Sequence, residues 1–172
     1  MRTKIRNKRA ETQARSADSA FGLSLGDIEG IGLAYRHFFS PDSAYHIALL
    51  PLITDTTAFA SLGTEYIHVF HQTESIRYYT PIGASLFYLK NTNGDYSSSG
   101  CSNYSCTGYG FDSTPGSSVH LGLGGGIGVE FFGRGGFSFA AEVPLVLGLS
   151  LLNGIKFKYL LPVPSVLLLY YF

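Results

Sequence analysis

A chain of 172 residues suits one domain with a sizeable core, and twelve basic against twelve acidic residues leave no net charge to draw it to nucleic acid. Hydrophobic residues make up 45% and charged residues only 14%, against about 25% in a usual soluble domain. With 21 Gly, 13 Phe, 12 Tyr and no long helical pattern, the composition argues for an all-β chain and excludes a helical bundle.

The chain opens on Arg2, Lys4, Arg6, Lys8, Arg9 and Arg15, half of all its Lys and Arg. Residues 1–19 are therefore read as a separate basic segment, either disordered or the remnant of a leader region. No apolar core of about 7–15 residues follows it, as a secretory signal requires. A misassigned start, a missing leader and a genuine basic tail all remain open. Residues 20–172 form the folded domain.

Alternation then sets in. FGLSLG alternates first, and in IGLAYRHF the residues Ile31, Leu33 and Tyr35 share one face while Gly32, Ala34 and Arg36 share the other. Farther on, Leu121, Leu123, Ile127, Val129 and Phe131 oppose Gly122, Gly124, Gly126, Gly128 and Glu130. These glycines do not match a dinucleotide-binding turn and mark a face where space is tight or another group must fit. Phe137, Phe139, Ala141, Val143, Leu145, Leu147 and Leu149 repeat the pattern. The pattern predicts eight strands: 20–26, 30–39, 44–53, 57–70, 76–90, 119–132, 136–150 and 164–172. Connections SPDS, QTES and GRGG are short and share one end. The other end carries DIEG, TDTT, the long 91–118 segment and LNGIKFKYLLPVP.

A soluble sandwich would carry polar residues on its exposed faces. Here the second face is Gly, Ala and Ser with isolated charges, suited to lining a narrow barrel, while the large apolar face points outward. That inside-out pattern predicts a closed eight-stranded antiparallel up-and-down transmembrane β-barrel. Aromatics crowd the short-turn end: Phe38, Phe39 and Tyr45; Phe70, Tyr78 and Tyr79; Phe131, Phe132, Phe137 and Phe139; and Tyr170, Tyr171 and Phe172. Phe39, Phe70, Tyr78, Phe131 and Phe137 are read as a periplasmic girdle at a membrane interface. An aromatic core at one pole of a soluble barrel is the alternative.

The final SVLLLYYF, with GIGVEFF and FSFAAEVPL, resembles the small eight-stranded outer-membrane barrels of the OmpA/OmpX-like kind over residues 20–172. The resemblance implies an assembly signal at Leu168, Tyr170 and Phe172, read by the barrel-assembly machinery, and a place in a Gram-negative outer membrane. The last strand departs from a polar lumen at Leu167, Leu169 and Tyr171.

Arg36, Glu65, Arg77, Glu130 and Glu142 fall on inward positions and are expected to form one buried charge network that plugs the lumen. Glu130 and Glu142 could serve acid–base chemistry, but no nucleophile accompanies them. Ser118 and His120 share a face without an acid to complete a hydrolase triad. His68 and His71, three apart on a strand, should face opposite ways and make a poor chelating pair. The histidines are read as surface or interfacial. No cofactor, metal site or catalytic residue is expected. Cys101 and Cys106 sit in one loop and suit a local disulfide. Tyr96, Tyr104, Tyr109 and Phe111 are candidate anchors for an unknown ligand of the 91–118 loop. The expected function is that of a monomeric outer-membrane barrel, in contact with outer-membrane lipid, with a structural or surface-interacting role and no open pore. A soluble lipocalin-like barrel with a small apolar ligand, or an outer-membrane lipid-modifying hydrolase, is the alternative.

Overall fold

The structure, a computed structural model, describes residues 18–55, 57–91, 116–151, 156–162 and 164–172. Period-two segments become strands β1 (Ser19–Leu25), β2 (Ile31–Ser40), β3 (Ser43–Ile53), β4 (Thr57–Gln72), β5 (Ile76–Asn91), β6 (Gly116–Phe132), β7 (Phe137–Ser150), β8 (Lys156–Pro162) and β9 (Ser165–Tyr171). Each pairs antiparallel with its chain neighbour from β1 to β7. β9 then joins β7 to β1 and closes the sheet. Closure leaves no free edge along this seam, where Phe172 N–H also donates to the Ser19 carbonyl at 3.1 Å.

Nine segments make eight staves. The segment 156–162, read from sequence as part of a connection, is the upper half of the last stave. β8 and β9 hold one common frame against β7, with Val146 opposite Leu161 and Ala140 opposite Leu167. Pro162 and Pro164 stand at the break between them, because proline has no N–H for the ladder.

The register fixes the stagger. From Tyr171 the ladder steps to Ala20, Arg36, His46, Glu65, Gly83, Gly124 and Val146, and returns to the last stave at Leu161, ten residues from its start. Such a stagger accompanies strands tilted by roughly 35–45°.

Side chains sort as the alternation demands. Leu23, Leu33, Leu49, Leu62, Ile82, Ile127, Leu145 and Leu168 stand exposed on the outer wall. Ala20, Ala34, Ala44, Ala48, Ile67, Ala140, Leu167 and Leu169 pack inside. The apolar inner face of β9 thus finds partners in the small residues of β1, β2, β3 and β7.

Three expectations need correction. His46 is not at a surface but fully buried, since it shares the inward parity of Ala44 and Ala48. His68 and His71 do not face opposite ways, because a bulge between Val69 and His71 inserts one residue and both end up exposed. Phe38 and Tyr79 belong to the interior, and Phe132 packs against that core, so these three aromatics are not on the outer belt.

Candidate functional site

The β1–β2 connection does not extend beyond the barrel. Gly26, Asp27, Ile28, Glu29 and Gly30 fold back into its interior, and all five are buried. Gly30, at φ +81°, supplies the left-handed turn that returns the chain to β2. Three strand hydroxyls hold the loop. Ser24 Oγ donates to the Gly30 carbonyl at 2.9 Å, the Ile31 N–H donates to Ser61 Oγ at 2.9 Å, and Ser85 Oγ donates to the Asp27 carbonyl.

The inward glycines explain how the loop fits. A side chain at Gly63 would strike the Glu29 backbone, and one at Gly83 or Gly124 would strike Ile28. Gly128 instead leaves room for the Tyr79 ring. Burying Ile28 in this slot stabilises the inward loop by about 1.5–3 kcal/mol.

Below the loop lies a charged layer. Arg77 reaches Glu130 at 2.9 Å, and Arg36 reaches Glu130 at 3.4 Å and Glu142 at 3.6 Å. Glu130 is the best satisfied of the acids. It also accepts from Ser138 Oγ at 2.6 Å and from the Tyr171 hydroxyl at 2.7 Å. Arg77 donates to the Tyr171 hydroxyl at 3.0 Å and to Gln72 Oε1 at 3.0 Å. Its guanidinium lies over the Phe38 and Phe132 rings, 4.3 and 4.8 Å from their centroids. Tyr79 donates to Glu142 at 2.5 Å, and its ring lies 5.3 Å from the Arg36 guanidinium carbon. Buried charges persist only when paired in this way.

Of the five inward charges read from the sequence, the structure joins Arg36, Arg77, Glu130 and Glu142. Glu65 is buried at the same level but makes no ion pair among the described residues. It stands with Glu142 and Glu29, and one carboxylate oxygen from each of the three lies within 4.8 Å of the others. Both oxygens of Glu29, both of Glu65 and one of Glu142 lack a hydrogen-bond partner. Neither nitrogen of the buried His46, directly across the ladder from Glu65, has one either.

Sequence reasoning missed Glu29 and His46. For His46 the signal was its parity. For Glu29 it was the run of inward glycines on β4, β5 and β6, which needed something to fill the space.

The proposed girdle residues Phe39, Phe70, Tyr78, Phe131 and Phe137 all stand on the outer surface at the short-turn end. Leu168, Tyr170 and Phe172 face outward on the last stave. Ser118 and His120 share β6. Cys101, Cys106, Tyr96, Tyr104, Tyr109, Phe111 and residues 1–17 lie outside the described residues.

The chain matches no family model, no curated protein and no solved structure. Its interior and its outer wall are therefore the ground for a functional reading.

Proposed function

We propose that this protein is an integral outer-membrane β-barrel whose lumen is closed by its own loop and side chains, with a structural or surface-interacting role rather than a catalytic one. The outer wall carries this reading. Ile82 and Ile127 are 60% and 66% exposed in mid-strand, on a surface built almost wholly from Leu, Ile, Val and aromatic side chains. Water would penalise such a continuous apolar band, and hydrocarbon would not. Closed pairing also spares the strands a free edge whose backbone groups would be desolvated alone in lipid.

The aromatic belt at the short-turn end supports one membrane interface there. That end is periplasmic on this reading, and the longer connections face outward from the cell. Delivery would run through the barrel-assembly machinery. The filled interior argues against both a pore and a carried ligand: Ile28, Glu29, Arg36 and Tyr79 are fully buried inside the barrel.

Heat-modifiability tests the proposal. Residues 18–172, refolded in detergent micelles, should run at a different mobility on a denaturing gel before and after boiling. In a planar bilayer the folded protein should give no steady current. Refolding only without detergent, to a soluble monomer, would reject the membrane assignment, and steady open-channel currents would reject the closed lumen.

A further inference from the structure

The three carboxylates of Glu29, Glu65 and Glu142 come from separate parts of the fold. Glu65 and Glu142 project inward from β4 and β7. Glu29 arrives on the β1–β2 loop, fully buried, with both oxygens unpartnered and one of them within 4.8 Å of an oxygen of each of the other two. Bringing a third acid against two others in a buried space is unfavourable unless something positive is shared among them.

Among the described residues, the buried cations do not suffice. Arg77 is held by Glu130, and Arg36 is divided between Glu130 and Glu142. Among the described residues, four buried glutamates thus face two arginines. Tyr79 supplies one neutral donor, to Glu142. His46 is fully buried on the same inward face as Glu65, with both ring nitrogens unpartnered. The Ser165 hydroxyl is buried and unpartnered as well, and Gly26 is squeezed between Ser165 and the Glu29 carboxylate.

We infer that Glu29, Glu65 and Glu142 bind one hard divalent cation of calcium size, which ties the inward loop to β4 and β7. The oxygen-only donor set selects a hard ion. Ligand oxygens within 4.8 Å of one another can share an ion through bonds of about 2.3–2.6 Å, the length calcium makes. The ion neutralises two charges and gives the three carboxylates a shared positive partner. It also makes closure of the lumen dependent on divalent cation. The site depends on the closed barrel alone, so it stands or falls separately from the membrane assignment.

The test uses the full chain, folded in detergent or, should it refold only without detergent, in buffer alone, then stripped with a chelator and titrated with calcium by calorimetry. One ion should bind per chain, and calcium at about 100 times its dissociation constant should raise the unfolding temperature by about 5–10 °C. Glu29→Gln, on the loop, should still fold to the heat-modifiable form but bind calcium at least about tenfold more weakly, since even supporting residues around a metal cost that much. Glu65→Gln is the second variant, on the wall, and should show the same loss. Magnesium should compete poorly. A stripped wild-type protein that takes up no calcium, and whose unfolding temperature is unmoved by calcium or chelator, would overturn the site: the three acids would then hold protons instead. Equal calcium binding by wild type and both variants would overturn it too, placing the ion elsewhere.

Discussion

Arg36 and Glu130 meet 3.4 Å apart across the barrel interior, although 94 positions separate them in the chain. Neither side chain is accessible to solvent. Glu130 is the hub of the layer, with four groups directed at it: Arg36, Arg77, Ser138 and Tyr171. Removing an acid with that many donors leaves two arginines buried without their main partner.

Glu130→Ala should therefore destabilise the folded barrel by about 3–5 kcal/mol, the usual cost of breaking a buried charge pair from one side. Urea unfolding of the micelle-bound protein, followed by the loss of the unboiled gel form, measures it. A loss below about 1 kcal/mol would mean that the layer is wet and screened.

The inward loop makes a different prediction. A side chain at Gly63 would strike the Glu29 backbone, so Gly63→Val should expel residues 26–30 from the lumen. Cysteine placed by Ile28→Cys reports it. In the otherwise native chain with Cys101 and Cys106 replaced by serine, this thiol should resist a soluble maleimide, because position 28 is fully buried. Adding Gly63→Val should make it react at the rate of an exposed thiol. Protection in both would place the loop's anchorage elsewhere.

These two experiments bear on the parts of the molecule that differ most in how far the sequence reveals them. Staves with clean alternation declare both faces, and Arg36, Glu130 and Glu142 could be set inside by parity alone. The route of GDIEG could not. As a sequence it is an ordinary polar turn, and only the inward glycines on neighbouring strands hint that it folds back. Parity also fails at a bulge, which is why His71 turned outward, since one inserted residue leaves no mark in composition. The upper half of the last stave was hidden for a third reason. Pro162 and Pro164 interrupt the period, so the strand before them reads as loop.

On the outer wall, Ile127 stands near mid-strand of β6, four residues from Phe131 at the aromatic end. Ile127→Lys should cost about 2–4 kcal/mol if this position faces the middle of a bilayer. In a soluble barrel the same exposed substitution should fall within about 0.5 kcal/mol of neutral. Unfolding the variant from vesicles and comparing it with the parent separates the two.

The last stave offers an internal control, because adjacent tyrosines face opposite ways. Tyr171 is buried, and its hydroxyl donates to Glu130 and accepts from Arg77 at 2.7 and 3.0 Å. Tyr170 faces outward, tilted against Phe137 with ring centroids 5.0 Å apart. Tyr171→Phe removes one oxygen and leaves two charged groups each short of a hydrogen bond, a loss of about 1.5–3 kcal/mol. Tyr170→Phe keeps the ring contact and should cost less than about 0.5 kcal/mol. The two variants are identical in composition, so any difference between them reports the direction each side chain faces. If both lose equally, or Tyr170→Phe loses more, the charged layer does not draw on the last stave, and the closing strand is held by backbone pairing and apolar packing alone.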